Sequence, residues 1–459
     1  MDKRFWKKVI IIGLPVAIQN LINTIVNVID TFMIGSLGEE YVSALGLANK
    51  VFFVVSLLIF GIVSGCSVLL SQYYGKKDEK NLNKTFGFMT MLAVGGSLIF
   101  FLMALIAPRL LMNIFTQSEE LISIGSSYLR IVSVSYLFTS FSMSATGLFR
   151  SINKTRMPMV FTFISVFVNV FFNYMFIFGN FGAPALKSDG AAIGTIIARA
   201  VEFSCMIIYM IFGKRDVRLS VIEMVKIDKE IIVKNMRFAL PVIINEFGWG
   251  LGTTMYSVIY GHMDDNVVAA MTIASALQDL VYALLFGVSS ACSVIVGNQL
   301  GADELDEAEK SARRLLITGI IFSMILAGAL LLLVRPYLLL YKTTEIVSDY
   351  IFKVCIVYAA LMPARTINLM FIVGILRSGG DTIFCMVVEL AALWAYAIPF
   401  GAIGAFGFHL EIVWVYLMLE SEQLLKNVVC FIRYKQKKWV KNIVVSEAEV
   451  IWFIQEALI

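Results

Sequence analysis

Charged residues are scarce in this 459-residue chain: Asp, Glu, Lys and Arg together make up 15% of it, whereas hydrophobic residues make up 59%. Soluble domains average about 25% charged residues. The apolar residues extend from Val9 to Arg433 and are not gathered into one segment. A water-soluble fold is therefore excluded, and the lipid bilayer becomes the solvent that sets the length of each element.

The sequence also lacks metal-binding, redox and nucleotide-binding motifs. Its two histidines, His262 and His409, stand alone, and none of its six cysteines lies in a C-x-x-C spacing. This pattern indicates neither a disulfide framework nor a metal site. Because no G-x-x-x-x-G-K-[ST] loop occurs, we expect no ATP-driven activity. We likewise expect no enzymatic activity, no cofactor and no nucleic-acid partner.

Twelve charge-poor stretches of about 22 to 32 residues follow one another, and each is long enough to cross a bilayer with some tilt. A membrane β-strand would need only about 9–11 residues and would alternate in polarity. The sequence thus predicts an all-α integral membrane protein with twelve transmembrane helices. Their starts lie near Val9, Ser43, Thr85, Leu121, Met157, Gly190, Lys234, Val267, Ser311, Ile346, Thr382 and His409.

Basic residues are divided unequally between the connections. One alternate set, which includes both termini, holds 27 Lys and Arg residues, and the opposite set holds four. Arg150 and Arg377 are counted in the larger set. Because cytoplasmic loops retain an excess of Lys and Arg, both termini are predicted to be cytoplasmic, in a bacterial plasma membrane.

The two halves of the chain match each other. A shift of 226 residues places Pro15 on Pro241 and Gly75 on Gly301, and a shift of 227 places 147–151 on 374–378. Each copy has six helices and starts on the same side, so the repeats are parallel and related by a pseudo-twofold axis along the membrane normal. The predicted organisation is an N-lobe at 1–213, a cytoplasmic linker at 214–233, a C-lobe at 234–434 and a cytoplasmic tail at 435–459. We expect a monomer.

Ionisable and amide side chains inside the N-lobe spans are the first candidate site. Asn20, Asn23, Asn27 and Asp30 form one stripe on the first helix, and Ser165, Asn169 and Asn173 form another on the fifth. Charged groups in a bilayer need a partner, a wet cavity or a function. Asp30 therefore handles a proton or an ion, or else it pairs structurally with Lys50. The asparagines serve the same site or pack helices together.

Buried acids in the C-lobe are the second candidate. Glu246 lies nine residues past Arg237, roughly 13 Å into the bilayer, on a face shared with Trp249. It either exchanges a proton or cation, or remains protonated within the lobe. Asp279 and Glu389 are comparable acids inside the predicted spans.

Three other basic residues in the spans have possible acidic partners. Arg365 lies at a similar depth to Glu389 and is its possible partner. Helical spacing predicts two simple ion pairs, Arg199 with Glu202 and Glu422 with Lys426.

Several ordered motifs resemble the multidrug and toxic compound extrusion (MATE) family over about residues 5–440. They include Leu14-Pro15, the Ile29-Asp30-Thr31 step, Gln72-Tyr73-Tyr74-Gly75, Asn169-x-x-x-Asn173-Tyr174, Asn245-Glu246-Phe247, Gly297-Asn298-Gln299-Leu300-Gly301 and the run from Gly374 to Thr382. No single motif decides the resemblance, which depends on their order and repetition.

The resemblance implies a bilobed antiporter that exports organic, often cationic, compounds against inward proton or sodium movement. It implies coupling roles for Asp30, Asn169 and Glu246, with Asn173 beside them. Because Asn173 stands where some members have an aspartate, Asp30 is the expected titrating group of the N-lobe. The tenth helix carries Asn368 and Arg365 but no acid, which argues against a carboxylate-based sodium site there.

Asn27, Trp249, Asp279 and Glu389 are the candidate residues of the substrate cleft. Two alternatives stay open at this point: a flippase for a lipid-linked saccharide, which would need a basic cleft, and a membrane scaffold without a wet cleft.

Overall fold

The computed structural model describes residues 3–213, 217–339, 341 and 343–445, which form long helices joined by short turns. A short helix, α9 (Val221–Val225), lies between the two halves. The N-terminal half contains α1 (Lys3–Gly35), α2 (Glu39–Lys76), α3 (Glu79–Ile106), α4 (Pro108–Asn113), α5 (Glu119–Val132), α6 (Val134–Ser151), α7 (Arg156–Phe178) and α8 (Ser188–Phe212).

The C-terminal half repeats this plan with more interruptions. A π-helical and a 3₁₀ turn extend α13 to Gly379. One π-helical turn joins α14 to α15, and a second follows α15, so that the span runs over Thr382–Gly407. The helices of this half are α10 (Lys229–Gly261), α11 (Asp265–Gly301), α12 (Leu305–Leu338), α13 (Glu345–Leu369), α14 (Thr382–Ala391), α15 (Ile398–Ala402), α16 (Ile412–Glu420) and α17 (Glu422–Lys435).

Within the described residues, nine helices are long and apolar enough to cross a membrane, and the bent pair α5 and α6 adds a tenth span. The seventh and twelfth positions are filled by α10 and by α16 with α17. Polar side chains such as Asn245, Glu246 and Thr253 dilute the hydropathy of α10, and a break at Ser421 shortens the last pair. The twelve-helix, two-lobe arrangement predicted from the sequence is confirmed.

The two lobes meet at the end of the bundle that carries Lys3, Lys80 and Lys437, which we call the basic end. There α2 packs on α10, and α1 packs on α11. These two contacts are related by the repeat, because each pairs the equivalent helices of opposite lobes. The pseudo-twofold axis expected from the sequence therefore runs through this interface.

Matching residues make reciprocal contacts across the interface. A Cβ added to Gly61 would lie 2.8 Å from the Ile243 Cα, and one added to Gly287 would lie 2.6 Å from the Ala17 Cβ. The shift of 226 converts each pair into the other. Small residues at matched positions thus let the backbones of the two lobes approach closely.

The approach is closest where α2 and α11 end. A Cβ at Gly75 would overlap the Asn298 carbonyl, and a Cβ at Gly301 would overlap the Gln72 backbone. Gly75 and Gly301 are equivalent in the repeat, as are Gln72 and Asn298. Only glycine fits at these two positions while the basic end is closed.

The segment that follows α17 crosses this closed end. Trp439 is fully buried among C-lobe side chains, whereas Val444 is buried in the N-lobe core. Gln72 binds the segment in both directions, since its amide accepts from the Ile443 N–H at 2.8 Å and donates to the Lys441 carbonyl at 3.5 Å. Residues 436–445 therefore form a strap that touches both lobes. The rest of the predicted cytoplasmic tail, beyond residue 445, lies outside the described residues.

We predict that Gly301→Val separates the lobes at the basic end, because its side chain would collide with the backbone at Gln72. Nitroxide labels on cysteines at Lys80 and Asp306, which are exposed and equivalent in the repeat, report the separation by double electron–electron resonance. Cys205, the one native cysteine that is not fully buried, is replaced by serine in the labelled protein.

The matched control is Gly328→Val, since nothing lies within 4 Å of a Cβ at that position. The control should keep the wild-type distance distribution, and Gly301→Val should shift it to longer distances. Identical distributions for both folded variants would show that the glycine contact does not hold the basic end closed.

Candidate functional site

The N-lobe stripes of α1 and α7 come together as one hydrogen-bonded group. The Asn173 amide donates to Asp30 Oδ1 at 2.8 Å and lies 3.2 Å from Asn169 Oδ1. The Asn169 amide in turn reaches Thr195 Oγ1 at 3.5 Å. Asn169 and Asn173 are buried, while Asp30 is half-buried at the edge of the group. Residues predicted to share a site therefore do so, although their roles stay predictions.

A structural ion pair between Asp30 and Lys50 is not what the structure shows. Lys50 is exposed, and Asp30 has an amide partner instead. The cation whose charge acts on Asp30 is Arg199, which is itself bound to Glu202 at 2.8 Å as the helical spacing predicted. Asp30 thus has no cation of its own among the described residues.

Two of the C-lobe acids, Glu246 and Glu389, converge on one arginine. Arg377 Nη1 lies 3.0 Å from Glu246 Oε1, and Arg377 Nη2 lies 3.6 Å from Glu389 Oε2. The Asn245 amide also donates to Glu389 Oε2 at 2.7 Å. Arg377 is 3% exposed and Glu246 is 9% exposed. We call Glu246, Glu389, Arg377 and Asn245 the C-lobe cluster.

Arg377 corrects two expectations from the sequence. It was counted as a cytoplasmic-loop cation, but the turn Arg377–Gly379 is still part of the α13 span and turns the side chain into the lobe. The suggested pairing of Arg365 with Glu389 is also wrong. Arg365 instead binds Glu420, with Nε to Oε2 at 2.8 Å and Nη2 to Oε1 at 3.0 Å.

Among the described residues, one hydrogen bond connects the C-lobe cluster to the opposite lobe. Arg377 Nη1, which holds Glu246, also donates to Ser64 Oγ of α2 at 3.4 Å. Ser64 lies on the stretch of α2 between Gly61 and Gly65, both of which pack directly on α10. Sequence reasoning missed this contact. The repeat could have pointed to this arginine, because the matched stretches 147–151 and 374–378 both end on an arginine followed by a serine.

Away from the basic end, the same four interface helices expose polar faces. On α11 the exposed residues Thr272, Ser275 and Asp279 follow helical spacing, and beyond Gly287 that helix is almost completely buried. Asn27 on α1 and Trp249 on α10 are exposed in the corresponding halves of their helices. The lobes are therefore closed at the basic end and apart at the opposite end. Three of the four predicted cleft residues lie on these faces, whereas Glu389 lies in the C-lobe cluster.

The charges of the C-lobe cluster do not balance. With both carboxylates ionised, Glu246 and Glu389 share one guanidinium, which leaves a net charge of −1 in a buried site. An uncompensated buried charge costs several kcal/mol, so this arrangement favours taking up a proton or a monovalent cation. Within the described residues no three His, Cys, Asp or Glu side chains converge as metal ligands. A cation here would be held by carboxylate and amide oxygens together.

Two parallel six-helix lobes, a reciprocal interface and a cleft open at one end are the architecture of a membrane transporter. The MatE family model matches residues 15–175 and 241–403, one segment in each lobe. The chain therefore belongs to the MATE family, whose members are transporters and not enzymes.

Relatives and solved structures agree with this assignment along nearly the whole chain. "Probable multidrug resistance protein NorM" of Thermotoga maritima is 23% identical over 97% of this chain and 95% of its own length. "Probable multidrug resistance protein YoeA" of Bacillus subtilis is 24% identical over 89% of each chain. A crystal structure of MATE in complex with MaL6 superposes with a TM-score of 0.86 at 16% identity, covering 94% of this chain and 96% of the other.

We predict that Arg377→Gln destabilises the protein by about 3–5 kcal/mol, because it leaves the buried Glu246 and the partly buried Glu389 without their cation. Thermal unfolding of the purified protein in detergent measures the loss. Adding Glu389→Gln to Arg377→Gln removes one of the two charges and should restore part of the stability.

The control is Arg109→Gln, which breaks an exposed ion pair with Glu119 and should change stability by no more than about 1 kcal/mol. An Arg377→Gln variant that unfolds at the same temperature as Arg109→Gln would contradict a buried, charge-bearing role for the cluster.

Proposed function

We propose that this protein exports amphipathic, cationic organic compounds in exchange for protons or sodium ions, by alternating access of its two lobes. The observation that carries the proposal is the C-lobe cluster, in which Glu246 and Glu389 share the single cation Arg377. With both carboxylates ionised the cluster carries a net charge of −1, which favours binding of a proton or a monovalent cation. Reversible binding of such an ion is what a gradient-driven transporter needs.

The distribution of basic residues supports the direction of transport. The excess of Lys and Arg at the basic end supports a cytoplasmic position for that end. The cleft then opens away from the cytoplasm, which is the state in which an exporter releases its substrate and takes up the coupling ion. The names of the relatives, which describe multidrug resistance proteins, support amphipathic drugs as the class of substrate.

The lining of the cleft supports a cationic substrate. Asp279 presents a carboxylate on an exposed face of α11, and Trp249 presents a 38% exposed indole on α10. A carboxylate attracts a cation, and an aromatic face binds one through its quadrupole. Charged groups inside a membrane protein that line a wet cavity are a common feature of substrate pathways.

In the N-lobe, Asp30 supplies a second acid whose protonation would alter the same cycle. The Asn173 amide donates hydrogen bonds to the Asp30 carboxylate and to Asn169. Protonation of Asp30 would therefore weaken a hydrogen bond made by α7. We propose Asp30 and Glu246 as the titrating groups of the two lobes, with Asn169 and Asn173 orienting the first of them.

Transport in inverted membrane vesicles tests the coupling. Vesicles loaded with acid or with sodium should take up the cationic dye ethidium under at least one of the two gradients. Asp30→Asn and Glu246→Gln should each abolish the driven uptake, because an amide can neither release a proton nor bind sodium as a charged ligand. Asp306→Asn, an exposed carboxylate at the basic end, is the control and should transport normally.

The coupling mechanism fails if neither gradient drives uptake while the protein is present and folded. It fails equally if both amide variants keep wild-type uptake under the gradient that works.

The role of Asp279 is tested by comparing substrates of different charge. Asp279→Asn should raise the KM for a cationic dye about tenfold, as the loss of about 1.4 kcal/mol of attraction would. The KM for a neutral amphipathic analogue should stay unchanged. Asp265→Asn, at the first turn of the same helix, provides the matched control. Equal changes for the charged and the neutral compound would rule out recognition of charge by Asp279.

A further inference from the structure

An open groove lies at the basic end, between the start of α1 and the start of α7, with a volume of ≈ 740 Å³. None of the residues that line it belongs to the N-lobe group, the C-lobe cluster or the cleft. Its lining combines two kinds of side chain, cationic and apolar: Lys3, Trp6, Lys7, Ile10, Ile11 and Arg156.

The cationic side chains of the groove are not paired with acids among the residues that the structure describes. Lys3, Lys7 and Arg156 are all exposed, and among the described residues none of them forms an ion pair with a carboxylate. By contrast, the basic-end residues Lys310 and Lys437 are each bound to a glutamate, at 2.8 Å and 2.7 Å. Three uncompensated positive charges around one groove favour a ligand with a strong negative charge.

The apolar side of the groove continues up the bundle. Ile10 is 58% exposed, and Leu14, one helical turn further on the same face, is 54% exposed. On α7, Val160 is exposed one turn past Arg156. Trp6 lies between the cations and this apolar face. Indole rings commonly anchor proteins at a membrane surface. A ligand that fits both sides is anionic at one end and apolar at the other.

We propose that this groove binds an anionic phospholipid. Its phosphate lies among Lys3, Lys7 and Arg156, and its acyl chains lie along Ile10 and Leu14. The distribution of basic residues places the groove in the cytoplasmic leaflet, where basic pockets between transmembrane helices bind anionic headgroups. A free phosphate would use only the cationic half of the groove.

A lipid bound here bridges two helices that matter to transport. The first turns of α1 and α7 form the groove, and the same helices carry Asp30 and Asn173 in their far halves. Gly13, only three residues beyond Ile10, packs on Gly287 of the opposite lobe. The bound lipid would therefore hold α1 against α7 at the end where the lobes meet.

Quenching of Trp6 by brominated lipids tests the site on the full chain in detergent. The signal from Trp6 is the difference between wild type and Trp6→Phe. Phosphatidylglycerol with brominated acyl chains should quench this signal at far lower mole fraction than phosphatidylcholine with the same chains. Added salt should weaken the effect, because exposed charges are screened.

The variant Lys3→Gln, Lys7→Gln, Arg156→Gln should weaken the apparent affinity for phosphatidylglycerol roughly 100-fold, since each cation near an anionic headgroup contributes about fivefold. The control, Lys80→Gln, Lys226→Gln, Lys438→Gln, removes the same charge from exposed positions outside the groove. It should leave the affinity close to that of wild type.

Three results would overturn the proposal. Equal quenching by the two lipids would mean that the groove does not recognise charge. Equal loss in both triple variants would mean that only the overall charge of the basic end matters. Displacement of the lipid by millimolar inorganic phosphate would mean that the site binds phosphate and not a lipid.

Discussion

Close packing of the two lobes at the basic end is the constraint on which the rest of the structure depends. Gly75 and Gly301 allow the ends of α2 and α11 to touch the backbone of the opposite lobe, and Gly61 and Gly287 extend the contact toward the middle of the bundle. Contacts of this kind are either made or broken, because packed backbones do not stretch. The far halves of the same helices are apart as a consequence. A cleft at one end and a seal at the other are thus two results of one interface.

The repeat preserves this interface but not the charges. By the shift of 226, Glu246 corresponds to Asn20, and Asp30 corresponds to Tyr256. Arg150 and Arg377 do correspond, yet only Arg377 meets acidic partners among the described residues. The same fold therefore supports an amide-held aspartate in one lobe and an arginine shared by two glutamates in the other. The interface residues repeat because both lobes must pack closely, whereas the charged residues of the two sites do not repeat.

Sequence reasoning recovered the features that depend on periodicity. Span lengths, the parallel repeat and the stripe from Asp30 to Asn173 across α1 and α7 follow from helix geometry and from the cost of polar groups in lipid. The buried position of Arg377 could not be predicted from the sequence, for a physical reason. Loop arginines and arginines at the buried end of a span have the same sequence surroundings, and only the turn at 377–379 decides which way the side chain points.

The ion-pair partners of Arg365 and Glu389 also could not be predicted from the sequence. Arg365 was matched to Glu389 by depth, but equal depth leaves rotation about each helix axis undetermined. The structure places Glu420 of α16 against Arg365 in a two-pronged pairing, and Glu389 faces Arg377. A pairing between helices depends on which faces are turned toward each other, and packing of the whole lobe sets that rotation.

Arg377 joins the charge imbalance of the C-lobe cluster to the interface between the lobes. Its Nη1 atom holds both Glu246 and Ser64, so the strength of one contact affects the other. While Glu246 is ionised, the guanidinium is drawn into the C-lobe and fixed beside α2. Neutralising Glu246 removes the larger of those attractions, because a charged acceptor binds about twice as strongly as a neutral one. The hydrogen bond from Arg377 to Ser64 would then change in strength, beside the positions where Gly61 and Gly65 pack on α10. Under the proposed coupling, an ion bound in the C-lobe would therefore alter the free energy of closing the two lobes.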